Sequence, residues 1–285
     1  MKKKIVVLGS RGMAGHVMTM TLRGEGSLEV FGVARQSGKF VNQELDITDF
    51  KGLEKYLSDI KPHYVVNCVG ALITQSHENI LSAILINSYL PHFLSDLGNV
   101  LHYKFIHIST DCVFSGAKGK YIEASFRDGD NNYARTKALG EVINEKDLTI
   151  RTSIIGPEIK SNGTGLLNFF LKQTLGIQGY TKAFWSGVTT LELAKVVVQV
   201  IHSDISGLYH VTNNKPINKY DLLMLFKKYT NKDIQIEAVE GRFTNKTLID
   251  TRQELDESIP DYDVMVRDMV AFMKDHSDLY SQYSL

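Results

Sequence analysis

Residues 5–8, Ile-Val-Val-Leu, form a wholly apolar run that leads directly into Gly9-Ser10-Arg11-Gly12-Met13-Ala14-Gly15. Four apolar residues without polar alternation read as a strand covered on both faces, and such strands belong to parallel sheets flanked by helices. Glycines three apart after that strand allow a tight turn, a close approach of backbone to a pyrophosphate, and close packing of the next helix on the strand, with the helix N-terminus facing the anion. That helix is expected over His16 to Arg23. An ordinary glycine-rich turn has the same composition, so the weight lies in its place between the first strand and the first helix.

The same alternation continues. Val30 to Ala34, Glu44 onward, His63 to Gly70, Lys104 to Ser109 and Leu148 to Thr152 read as further strands. Between them Phe50 to Leu57 and Asn79 to Leu97 read as helices, with Asp49 as an N-cap. A mid-helix Asn87 is either exposed or holds a neighbouring strand or a water. Short apolar strands alternating with amphipathic helices imply an α/β fold with a doubly wound parallel sheet. After Gly156-Pro157 the pattern changes to helices over 166–175, 191–202, 219–229 and 263–274, with short strands at 208–211 and 234–236. Residues 1–156 are therefore expected to form a Rossmann domain and 157–285 a smaller mixed lobe, with 188–212 free to pack back on the first domain.

Lys and Arg total 32, as do Asp and Glu, so the net charge is zero. That argues against a nucleic-acid partner or an anionic membrane, which call for a basic surface. Met1-Lys2-Lys3-Lys4 resembles the start of a signal peptide, but the apolar run behind it is too short for a signal core or a span. The two cysteines, Cys68 and Cys112, suggest neither a disulfide framework nor a zinc site. A reducing cytoplasm is the expected compartment.

Chemistry concentrates at two places. Ile106 to Asp111 reads as a buried strand ending in the hydroxyls of Ser109 and Thr110. Tyr133 and Lys137, four apart, share one face of a helix expected to run to about Glu145. An ammonium near a phenol stabilises the phenolate and tunes its proton transfer. Hydroxyl, phenol and ammonium are the parts needed to reduce a carbonyl, although Tyr-x-x-x-Lys also recurs in helices without any such role. At the end of the second strand stands Arg35, where an acidic residue would select a ribose 2′-hydroxyl. With Arg11 it makes two guanidiniums that pair well with a 2′-phosphate, which favours NADP(H) over NAD(H). Further cofactor-binding candidates are Gly9, Gly12, Met13 and Gly15 in the turn, Asp46 and Ile47 after the third strand, and Cys68, Val69 and Gly70 after the fourth.

The set Gly9-x-x-Gly12-x-x-Gly15, Ser109-Thr110-Asp111 and Tyr133-x-x-x-Lys137, in this order, resembles the extended short-chain dehydrogenase/reductases. The likeness is greatest to the nucleotide-sugar reductases of the dTDP-4-dehydrorhamnose reductase kind, through Ser-Thr-Asp-x-Val-Phe at 109–114, Ile86-Asn87 with Pro91, Ile150 to Ser153, and Arg242 to Leu248. Phe243 and Thr247 depart from that family's Pro and Ser. The resemblance implies reduction, with NADPH, of the C4 ketone of a nucleotide-activated 4-keto-6-deoxyhexose in deoxysugar or surface polysaccharide biosynthesis. It implies that Thr110 binds the carbonyl oxygen, that Tyr133 is the general acid, and that Lys137 holds the nicotinamide ribose. Asp111, Cys112, Trp185, Thr189 and Arg242 would contact the sugar nucleotide. The glycine turn also resembles that of GDP-fucose synthase, whose two arginines hold the 2′-phosphate. In that enzyme a Cys at the offset of Cys112 is an epimerisation base. Cys112 is thus either such a base, giving a bifunctional epimerase-reductase, or a small buried side chain. A third reading is a non-catalytic NADP-binding regulatory subunit. The nucleotide, the sugar and the assembly state stay open, a homodimer included.

Overall fold

The computed structural model describes residues 2–283; Met1, the first residue of the signal-like run, lies outside the described residues. The central sheet is built from β1 (Lys3–Leu8), β2 (Leu28–Ala34), β3 (Gln43–Glu44), β4 (Tyr64–Asn67), β5 (Lys104–Thr110) and β6 (Leu148–Thr152), with a seventh strand, Gly207–His210, beside β6. Its order is Gly207–His210, β6, β5, β4, β1, β2, β3, and every neighbouring pair is parallel. The order reverses between β1 and β4, and the crevice outside the strand ends at such a reversal is where ligands bind in open α/β sheets. The sheet is covered on both faces by separate apolar clusters, one holding Ile5, Val7, Met18 and Val197, the other Val6, Leu8, Leu57 and Leu94.

The chain crosses back to the sheet after leaving it. Ile154–Ile155 pairs with Val188–Thr189, the helix Thr190–Ile201 packs on the helix Met13–Gly24, and Gly207–His210 then joins the sheet. Thr189 caps its helix, accepting from the Glu192 amide at 3.1 Å, and Asp49 caps Phe50–Ile60, accepting from Gly52 at 3.0 Å. The remaining lobe holds the strands Ile217–Asn218, Ala183–Trp185 and Thr244–Asn245 in one small sheet, and Ile177–Tyr180 beside Ile236–Val239 in another.

Several expected elements take a different form. The first helix begins at Met13, three residues early, because Gly12 is its N-cap. The strand expected at 234–236 lies at Ile236–Val239, and Phe184 to Thr190, expected as a loop, contributes two short strands. The expected helix 79–97 is Ile80–Leu101, interrupted over Ile84–Tyr89 by a widened π turn. Pro91 has no N–H to give the Asn87 carbonyl and its ring crowds that oxygen, so the turn before it widens. The freed carbonyl faces Gly140, where any Cβ would overlap it. That contact, with Gly140 as C-cap, ends the Tyr133 helix at Leu139 rather than near Glu145. Ile80–Leu101 is 22 residues long with a mean hydropathy of 1.2, the length and polarity of a membrane span. Its Ile86, Leu90, Leu94 and Leu97 are buried in the fold.

Asn87 is fully buried. It accepts from the Ala71 amide at 2.8 Å, donates to the Ala71 carbonyl at 3.0 Å and to Thr136 Oγ1 at 3.1 Å. It therefore clamps the loop leaving β4 to the helix that carries Tyr133 and Lys137. In Asn87→Ala the buried Ala71 groups lose their partner, which costs about 1–3 kcal/mol for each group left unpaired. A lower urea midpoint at unchanged m-value is the expected outcome.

Candidate active site

Gly9 ends β1 with φ of +81°, and a Cβ there would stand 2.9 Å from Val69 Cγ2 and 3.3 Å from the Cys68 carbonyl. A Cβ on Gly15 would overlap the Gly9 carbonyl oxygen. These two glycines let the Met13–Gly24 helix lie against the end of β1. Gly12 offers no side-chain cap, so the first-turn amides stay open toward the crevice. The turn thus has the backbone approach and the dipole that a pyrophosphate needs.

One cavity of about 660 Å³ runs from this turn across the ends of β4 and β5. Arg11, Gly12, Met13, Arg35, Cys68, Val69 and Gly70 line one end; Thr110, Asp111, Cys112, Tyr133 and Lys137 line the other. Arg11 donates to the Ser37 carbonyl at 2.7 Å, which holds its guanidinium beside the loop after β2. Gly9 and Gly15 lie beneath the turn and shape it from behind. Asp46 does not reach the cavity lining. Its carboxylate accepts from the amide and hydroxyl of Thr48 at 2.9 and 2.8 Å, and those bonds, with Arg35 nearby, hold it below the usual carboxylate range. Ile47 is buried in the core.

The two hydroxyls at the end of β5 point to opposite faces of the strand. Ser109 donates to Glu141 Oε1 at 2.7 Å. The Thr110 hydroxyl accepts from the Cys112 amide at 3.1 Å and donates to Asp111 Oδ1 at 3.2 Å. Burial raises the Tyr133 phenol above its ordinary range, Cys112 and Asp111 push the same way, and Thr110 opposes them. The phenol therefore keeps its proton at neutral pH and can donate it. Lys137, the lysine expected to lower it, has partners of its own. It donates to the Ile108 carbonyl at 2.8 Å and lies 3.2 Å from His107 Nε2, and burial lowers it to about 8.

Cys112 is pushed up to about 11 by burial and by Asp111, so it is a thiol rather than a thiolate at neutral pH. Asp111 is itself raised by burial and partly restored by Lys246. Lys246, on the segment after the strand Thr244–Asn245, acts on both groups. The Arg242 to Leu248 segment does not by itself place Lys246 here; only the fold carries it to the end of β5. The other unanticipated wall is the stretch 158–165, whose Glu158 carboxylate accepts from the Gly165 amide at 2.7 Å and closes the loop over Met13. Its glycines mark a loop in the sequence, but not which cavity the loop covers.

Three expected substrate contacts are not among the residues that line this cavity. Trp185 is 8 % exposed, with its ring against Tyr262 at 5.6 Å between centroids, so it fills the core of the second lobe. Thr189 is buried, its hydroxyl accepting the Glu192 amide as a helix cap, and Arg242 is an exposed turn residue away from the cavity lining.

Comparison with known proteins gives a consistent set of likenesses. A family model described as the RmlD substrate binding domain matches residues 2–247. A dTDP-4-dehydrorhamnose reductase from Aggregatibacter actinomycetemcomitans is 25% identical over 231 residues, 76% of each chain. A methionine adenosyltransferase 2 subunit beta from Xenopus tropicalis is 21% identical over 238 residues, 77% of this chain and 70% of that one. Among solved structures, a dTDP-4-dehydrorhamnose reductase from Bacillus anthracis in complex with NADP superposes with a TM-score of 0.82 at 20% identity, covering 95% of this chain and 99% of that one. At that identity the last likeness is one of fold.

Proposed function

This chain belongs to the RmlD substrate binding domain family and is an oxidoreductase of the extended short-chain dehydrogenase/reductase type, and on that premise we propose that it reduces the C4 ketone of a nucleotide-activated 4-keto-6-deoxyhexose with NADPH. The observation that carries this reading is the single cavity in which Arg11, Arg35 and the glycine turn lie at one end and Thr110, Tyr133 and Lys137 at the other. NADPH, when bound, supplies the hydride that goes to the ketone carbon. The amides of the helix Met13–Gly24 and the glycine turn hold the pyrophosphate, and Arg11 and Arg35 hold the 2′-phosphate. Lys137 binds the nicotinamide ribose. Thr110 donates to the ketone oxygen, and Tyr133 gives that oxygen its proton. Residues 1–156, completed by the seventh strand, carry the cofactor, and the remaining lobe takes the sugar nucleotide. Cytoplasmic placement and pairing with a second copy of the chain are compatible with this reading. The high position of the Cys112 thiol disfavours an epimerase, and the intact Thr110, Tyr133 and Lys137 disfavour a purely regulatory subunit.

The test is a panel of 4-keto-6-deoxy sugar nucleotides with NADPH absorbance as the readout. Oxidation with one of them is expected; NADPH binding with no oxidation across the panel would refute the reading. In Arg35→Ala the KM for NADPH should rise about ten- to a hundredfold, the worth of one charge-assisted phosphate contact, while the KM for NADH stays put.

A further inference from the structure

Behind the cavity wall a buried row of polar side chains leads from the exit of β4 to Lys137. Asn67 closes β4, and His107 is its register partner on β5; both are fully buried. The Val69 amide donates to Asn67 Oδ1 at 3.0 Å. A backbone N–H can only donate, so this contact fixes the carboxamide: Oδ1 faces Val69, and Nδ2 faces His107. Asn67 Nδ2 lies 3.2 Å from His107 Nδ1 and also can only donate. Nδ1 therefore accepts and carries no hydrogen. Burial, with Lys137 and His92 near the ring, keeps His107 neutral. A neutral imidazole has one N–H, which must then sit on Nε2, 3.2 Å from Lys137 Nζ.

An ammonium has no lone pair, whereas a neutral amine has one. The row Val69–Asn67–His107–Lys137 puts every donor on an acceptor only when Lys137 is an amine. With an ammonium, two donors face each other at one link of the row. The Ile108 carbonyl, at 2.8 Å, accepts an N–H in either state and does not discriminate.

We propose that His107 is a positioning residue that holds Lys137 in place and, by presenting Nε2–H to Nζ, favours the neutral amine over the ammonium. Burial of Lys137 works in the same direction. Glu141 and Cys68 oppose it. The Glu141 carboxylate is engaged by Arg151, Arg127 and Ser109, and the Cys68 thiol, pushed up to about 12 by burial, is uncharged at neutral pH. Tyr133, one turn back on the same helix, keeps its phenolic proton. The consequence for turnover rests on the reductase reading, in which Lys137 holds the nicotinamide ribose; the protonation of Lys137 itself does not rest on it.

The experiment uses the full chain labelled with 15N-histidine and 13C-lysine. His107 should show the Nε2–H tautomer throughout, and the Lys137 ε-carbon should titrate near 8, below the ordinary lysine value. In His107→Leu the facing donor is gone, and in His107→Gln the side-chain oxygen can turn to the ammonium. The Lys137 midpoint should rise by about one pH unit or more in both. The alkaline limb of NADPH oxidation should move up with it. An Nδ1–H tautomer in the parent protein, or an unmoved midpoint in both folded variants, overturns the proposal. If the midpoint moves while no sugar nucleotide is reduced, the proposal holds and the reductase reading falls.

Discussion

Tyr133→Phe is expected to lower kcat by about a hundred- to ten-thousandfold, the usual contribution of a positioned general acid, while leaving NADPH affinity unchanged. The substitution keeps the buried ring and removes one hydroxyl. That hydroxyl shares one end of the cavity with Thr110, while Arg11, Arg35 and the glycine turn lie at the other end. Loss of turnover with retained binding therefore separates proton donation from cofactor capture. Because burial raises the phenol, the proton is present over the whole neutral range, and its own titration should not limit the rate there. Cofactor titration by fluorescence and stopped-flow hydride transfer give the two quantities. A variant that reduces substrate as fast as the parent would remove Tyr133 from the mechanism.

Arg151→Met should be the most destabilising single change in the sheet. Arg151 is 1 % exposed and donates to both oxygens of buried Glu141, at 2.8 and 2.7 Å, and to His210 Nε2 at 2.8 Å. Removing one partner of such a pair leaves a buried charge uncompensated and costs about 3–5 kcal/mol. In the parent, burial raises Glu141, but Arg151, Ser109 and Arg127 together hold it below its ordinary value. A depressed carboxyl contributes stability above its unfolded value, and that contribution is lost as pH falls through the folded value. In the variant the burial effect dominates, the carboxyl rises, and stability is instead lost as pH rises through the new folded value. The penalty measured by urea unfolding should thus be smaller near about pH 5 than at about pH 7. Glu141→Leu added to Arg151→Met should recover much of it, because an apolar pair needs no compensation. An equal penalty at both pH values would show that Glu141 stays ionised without Arg151.

The parallel sheet, its doubly wound order and the glycine turn were legible in the chain because each rests on short-range pattern: apolar runs, 3.6-residue periodicity, glycines spaced along one turn. Tyr133 and Lys137 were found the same way, since four residues make one helical turn wherever the helix lies. Direction and partnership were not local. Ser109 and Thr110 are adjacent in the chain, yet Glu141 takes one hydroxyl and the cavity receives the other. Trp185, expected against the sugar nucleotide, packs on Tyr262, and Lys246 comes near Asp111 only through the return of the chain to β5. The spacing of Tyr133 and Lys137 says nothing of His107, which lies 3.2 Å from the amine. Periodicity and backbone sterics belong to neighbours in sequence, so the sequence alone determined the scaffold and the residue types. Burial, hydrogen-bond direction and the resulting acidities depend on groups brought together from distant parts of the chain, and only the tertiary structure decided them.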